Sequence, residues 1–214
     1  MPVSPEQLHR IVQSETEHFC DAQQALEQTR ESDGRTFDDP RLHARMANCG
    51  IASALIQHNL RVHHNIATAR LFGRPPTAPY FPSGNEFGHV ILRSDNTLID
   101  PTYGQIFSFV GIHPLSPVKG FSYPDNLALT VDTTDPEASL ESLVDALTGA
   151  AQLEISPYLQ SRAPLRHKGR RTLQSVIYDI YNPGYYAPYE LETLHPSFDR
   201  VQALIHVSDQ LREQ

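Results

Sequence analysis

The sequence predicts an α+β fold in which a helix beginning at Cys49 packs on an antiparallel β-sheet. Three observations predict it. Candidate helices come first and are followed mainly by strands, with helices returning late and no regular βαβ alternation. The triplet Asn48-Cys49-Gly50 opens a run of helical character. Two strand-like runs, residues 89–93 and 97–101, flank the turn-forming cluster Ser94-Asp95-Asn96.

The first helix is read from its start signals. Ser4 is a good N-cap, Pro5 suits the first helical position, and Gln7 completes a capping box. Leu8, Ile11, Val12, Phe19, Ala22 and Leu26 then recur at three- and four-residue spacing, an apolar stripe interrupted by Glu15. Residues 30–40 form a polar loop and residues 42–47 a short lead-in. With Asn48 as its N-cap, the second helix is expected to run from Cys49 to about Asn59, with Ile51, Ala52, Leu55 and Ile56 facing a core. Loose alternation predicts a strand over 62–72, and a proline-rich loop follows over 75–84.

Further strands are expected over 105–110, 127–131 and 172–181. Asp135-Pro136 caps a helix carrying Leu140, Leu143, Val144 and Leu147, and residues 185–189 read as a proline–aromatic loop. A last helix from about Pro196 buries Phe198, Val201, Leu204 and Ile205. There is no internal repeat and no shift in composition, so the 214 residues are expected to form one domain. Its core spans about 40–135, with a helical and strand extension over 136–214.

Bulk composition narrows the classes of function. A formal charge of −8 offers no positive field for displacing counterions from nucleic-acid phosphates, so no nucleic-acid partner is expected. No run approaches the ~18 apolar residues of a membrane span, and Met1 to Gln7 lacks the pattern of a secretory signal. Two cysteines, Cys20 and Cys49, build no disulfide framework; a cytoplasmic setting with Cys49 reduced is the expectation.

Cys49 draws attention through its position. A thiol at a helix start lies among unpaired backbone N–H groups and at the positive end of the helix dipole, and both favour the thiolate. The same N–H groups can hold a developing oxyanion, and Gly50 leaves room beside the sulfur. Most lone cysteines are small core hydrophobes, and Cys20, within the striped first helix, reads as one.

His89 and Asp100 supply the other parts. If Asp95 and Asn96 centre a two- or four-residue loop, Ile91 lies opposite Asp100 and His89 opposite Thr102, diagonal to Asp100. His89, Ile91, Asp100 and Thr102 then project from one face, so imidazole and carboxylate can meet. A three- or five-residue loop would turn Asp100 to the wrong face. Together the three residues are a nucleophile, its base and an orienting acid.

Asn48-Cys49-Gly50, Gly88-His89-Val90 and Ile99-Asp100-Pro101-Thr102 resemble the transglutaminase-like branch of the papain-like superfamily. That branch includes transglutaminases, related bacterial peptidases and amidases, and more distantly arylamine N-acetyltransferases. The likeness covers about residues 40–110. It implies a papain-like core, with Cys49 as nucleophile, His89 as general base and acid, and Asp100 as orienter. The chain departs from the family's common pattern in having no tryptophan, with Ile91 after the histidine. Expected oxyanion or substrate contacts are Asn48, Gly50, Thr102 and Gln28, with Gln24 as an alternative to Gln28.

The expected reaction is acyl transfer through a thioester acyl-enzyme on a peptide-like amide or a thioester, with no cofactor. Its substrate is a peptide, a protein or a small acyl compound, including a carrier-protein or coenzyme A thioester. Alternatives are glutamine deamidation or transglutamination of a protein partner, and a non-catalytic interaction module on the same fold. His63, His64 and His113 lack the spacing of a metal site, and adjacent strand residues would face opposite ways. The basic run Arg162, Arg166, His167, Lys168, Arg170 and Arg171 fits a solvated loop or a phosphate-bearing substrate. Tyr178, Tyr181, Tyr185, Tyr186 and Tyr189 fit a cleft wall or packing beneath a turn.

Overall fold

The computed structural model describes residues 3–29, 49–73, 89–102, 129–132, 186–188 and 198–214. They form three helices, α1 (Pro5–Thr29), α2 (Cys49–His64) and α3 (Phe198–Arg212). Five strands accompany them: β1 (Ala69–Gly73), β2 (His89–Ser94), β3 (Thr97–Asp100), β4 (Leu129–Asp132) and β5 (Tyr186–Pro188). The strands make one sheet in the order β4-β3-β2-β1-β5, every neighbouring pair antiparallel. Helices and a single antiparallel sheet give a mixed architecture consistent with the α+β expectation.

Helix α1 starts as its sequence dictates. The Gln7 N–H donates to Ser4 Oγ at 3.2 Å, and the Leu8 N–H to the Ser4 carbonyl at 2.8 Å. Its stripe of Leu8, Val12, Phe19, Ala22 and Leu26 is buried against α2 and α3, together with Cys20. Each of the larger side chains contributes about 1.5–3 kcal/mol by leaving water. Glu15, the polar break in that stripe, is also buried. It accepts hydrogen bonds from Asn59 Nδ2 at 2.9 Å and His64 Nε2 at 2.7 Å, and it pairs with Arg212 of α3. One carboxylate thus joins all three helices. Nearby, the buried Ser208 lies 3.0 Å from His18 Nε2 through its hydroxyl.

The expected strand over 62–72 is corrected. Helix α2 continues past Asn59 to His64 and β1 begins only at Ala69. Asn59 is buried on Glu15 and so extends the inward face of the helix by a turn. Asn65 stops it with φ 55, a left-handed conformation that asparagine tolerates, and the Ile66 N–H closes onto the Leu60 carbonyl at 2.8 Å. His63 and His64 are therefore helical; His63 faces Asp209 at 3.6 Å and His64 binds Glu15. The expected loop over 185–189 is also corrected, since residues 186–188 form β5 and pair with β1 as an edge strand. Pro188 is tolerated there because, among the described strands, β5 has a ladder partner on one side only.

The hairpin turn has the two-residue length that sets His89 and Asp100 on one face. Ser94 pairs with Thr97, Arg93 with Leu98 and Leu92 with Ile99, so the loop is Asp95-Asn96, with Asp95 at φ 48. Leu92 and Ile99, directly opposite one another, join the helical core. Alternation then assigns His89, Ile91 and Asp100 to the other face, where each is buried. β4 spans Leu129–Asp132, close to the strand expected over 127–131, and α3 starts two residues after Pro196. In α3, Val201 and Leu204 are buried while Phe198 and Ile205 are half-buried. Expectations over 30–48, 75–84, 105–110, 135–147 and 161–181 lie outside the described residues.

Candidate active site

Cys49 and His89 are the first residues of α2 and β2, and α2 packs on β2. The two therefore meet at the ends of their elements. His89 Nε2 lies 2.6 Å from Asp100 Oδ2, and both side chains are about 1 % exposed. The cause is the two-residue loop, which makes residues 89 and 100 diagonal neighbours on one face of the hairpin. Asp100 is itself held. Its Oδ1 accepts the Thr102 N–H at 2.8 Å and the Thr102 hydroxyl at 3.4 Å.

With Nε2 committed to the carboxylate, Nδ1 is the ring nitrogen left to exchange a proton with sulfur. Nδ1 is buried and makes no aligned hydrogen bond among the described residues. The half-buried Cys49 thiol nonetheless interacts closely with the ring. Burial pushes this thiol up, but hydrogen bonding and charge from His89, with a backbone hydrogen bond at Val90, outweigh it and lower its pKa. Burial pulls His89 down; the Asp100 carboxylate, by charge and hydrogen bond, and then Cys49 overcome this and push it up to about 10. Each shift favours the charged form of its group, the thiolate of Cys49 and the imidazolium of His89.

Ser53, one turn after Cys49 on α2, is buried and donates to the Val90 carbonyl at 3.1 Å. Sequence reading passed over this residue, although its i+4 spacing from Cys49 puts both on one side of the helix. Of the other expected site residues, Gly50 is half-buried beside Cys49 in the first turn of α2. Thr102 stands behind Asp100, where its polar groups serve the carboxylate. Asn48 lies outside the described residues, and of Gln28 only the backbone, in the last turn of α1, is described. Gln24 is half-buried on α1.

His113 and the basic run from Arg162 to Arg171 lie outside the described residues, as do Tyr178, Tyr181, Tyr185 and Tyr189. Tyr186 supplies the first residue of β5. Among the described residues, no group of three or more His, Cys, Asp or Glu side chains is placed to hold a metal ion. No described helix is long and apolar enough to cross a membrane. No protein-family model, curated protein or solved structure matches the chain.

Proposed function

We propose that this chain is a cysteine-dependent acyl-transfer enzyme with a transglutaminase-like, papain-like core, acting on a peptide-like amide or a thioester in a reducing, cytoplasmic setting. The observation that carries the reading is the fully buried His89–Asp100 pair beside a half-buried thiol at a helix start. A carboxylate bound to one ring nitrogen leaves the other as the proton carrier.

The Cys49 thiolate attacks the substrate carbonyl carbon, and the carbonyl π pair moves onto oxygen. Backbone N–H groups in the first turn of α2, which have no partner within the helix, are suited to stabilise that oxyanion. As the oxygen pair returns, the bond to the leaving group breaks, and the His89 Nδ1 proton passes to the departing amine or thiol. A thioester acyl-enzyme remains, with neutral His89. Water or an amine then attacks the thioester while His89 takes its proton, releasing the acyl product and regenerating the thiolate–imidazolium pair.

Intact-mass trapping with a panel of activated amides and thioesters tests this reading. Wild type is expected to gain one acyl mass on Cys49, and Cys49→Ala to gain none while melting within a few degrees of wild type. An adduct retained in Cys49→Ala would overturn the proposal. So would a Cys49 whose iodoacetamide reactivity follows that of an ordinary free thiol, the behaviour expected of an interaction module.

A further inference from the structure

We propose that Ser53 is a positioning residue of this site, its hydroxyl clamping the start of β2 to α2 so that Cys49 and His89 stay in register; the inference rests on the acyl-transfer reading. The case starts from the β-ladder. In a two-residue hairpin the residues flanking the loop exchange hydrogen bonds, and every second residue thereafter aims its N–H and C=O at the partner strand. Ser94 and Thr97 are the flanking pair, so Leu92 and then Val90 aim their backbone groups towards β3.

The ladder does not reach Val90. Observed pairing of β2 with β3 ends at Leu92 and Ile99, and continuation of the register would set Val90 opposite Pro101. Proline has no N–H to donate. The Val90 carbonyl would thus be a buried acceptor deprived of its ladder partner, a costly arrangement. Ser53 Oγ takes that place at 3.1 Å and is itself fully buried.

The bond falls between the two reacting groups. Val90 follows His89 in the chain, and Ser53 lies one helical turn from Cys49. Apart from the reacting Cys49 itself, no other described side chain of α2 hydrogen-bonds to β2. Apolar packing alone holds a helix to a sheet but permits small sliding, whereas a buried hydrogen bond to a particular carbonyl sets the axial position. Cys49 and His89, each at the end of its element, are sensitive to such sliding.

The test reads iodoacetamide alkylation of Cys49 against pH, resolved by peptide mass so that Cys20 is counted separately. Wild type, Ser53→Ala and Ser53→Thr are compared, with melting temperatures from the same samples. Alanine is the best helix former, so α2 itself is not weakened. Wild type is expected to alkylate with an inflection well below that of a free thiol. In Ser53→Ala the inflection should rise by about one pH unit, an approximately tenfold slower reaction at pH 6. Ser53→Thr, which keeps the hydroxyl, should restore most of the wild-type profile.

Superimposable profiles for wild type and Ser53→Ala, whatever their melting temperatures, overturn the proposal. Equal shifts in the Ala and Thr variants do the same, because the effect would not follow the hydroxyl. An ordinary free-thiol profile in wild type removes the acyl-transfer reading and this inference with it. A depressed wild-type inflection unmoved by Ser53→Ala removes this inference alone.

Discussion

Two histidine–carboxylate contacts of nearly equal length, each on a buried acid, sit in different parts of this molecule. His89 meets Asp100 at 2.6 Å in the hairpin, and His64 meets Glu15 at 2.7 Å where the three helices join. Around Glu15, donors from α2 and α3 converge on one carboxylate, and His64 stays 27 % exposed at the rim. This is a joint, with the acid at its centre. Around Asp100 the order is reversed. The imidazole is as buried as its carboxylate, its second nitrogen makes no aligned hydrogen bond among the described residues, and a thiol lies against the ring. What separates the two contacts is the burial of the histidine and the thiol beside it, since length and carboxylate burial are alike in both.

Substituting the two acids separates the roles, and Asp100→Asn should have the larger effect. It removes the charge that keeps His89 protonated. Turnover on any substrate found by trapping is expected to fall by about a thousandfold, with a higher inflection for Cys49 alkylation. The same change should alter stability against pH. With its folded pKa raised to about 10 from 6.5, His89 contributes stability fully present below about pH 6.5 and lost as pH rises through 10. Urea midpoints measured from pH 6 to 10 should show this decline in wild type and a flatter one in Asp100→Asn. An Asn variant with wild-type alkylation would erase the distinction between the two pairs.

Glu15→Ala should act in the opposite sense, on stability and not on the thiol. It leaves Asn59 Nδ2 without its carboxylate and strands Arg212 and His64, which can still turn partly to water. A loss of about 2–4 kcal/mol is expected, on the order of 5–10 °C in melting temperature, with an unchanged alkylation profile. Denaturation and alkylation on one preparation check both halves. The smallest effect belongs to Ser4→Ala, which removes the exposed cap of α1 and touches neither contact's hydrogen bonds. It should cost about 1 kcal/mol and leave alkylation untouched, setting the scale for an ordinary helix-end change.

Local signals read well from the chain where neighbouring residues settle the structure. The Ser4-Pro5 start of α1 and its stripe are fixed by spacing and caps within a few turns. The Asp95-Asn96 loop follows from turn chemistry over four residues, and register carries it to His89 and Asp100. Misreadings arose where a partner distant in sequence chose the outcome. Val62 and its neighbours alternate loosely enough to suggest a strand, but Asn59 and His64 gain Glu15 as a partner only if the helix continues to them. Residues 186–188 look like a loop until β1 offers an unpaired edge. Glu15 itself reads as a flaw in an apolar stripe because its three partners lie 44, 49 and 197 residues away.

For the site, the sequence by itself determined the chemical parts and the face they share. A thiol opening a helix, and an imidazole diagonal to a carboxylate across a two-residue turn, are local consequences of residue type and alternation. Tertiary structure alone decided that the parts meet. Cys49 and His89 are 40 residues apart, and no local rule brings the end of a helix to the end of a strand. That needed the packing of α2 on β2, a ladder that stops before Pro101, and a serine hydroxyl on the carbonyl left open there. Periodicity is a property of one segment, whereas the distance between two segments is set by everything packed between them.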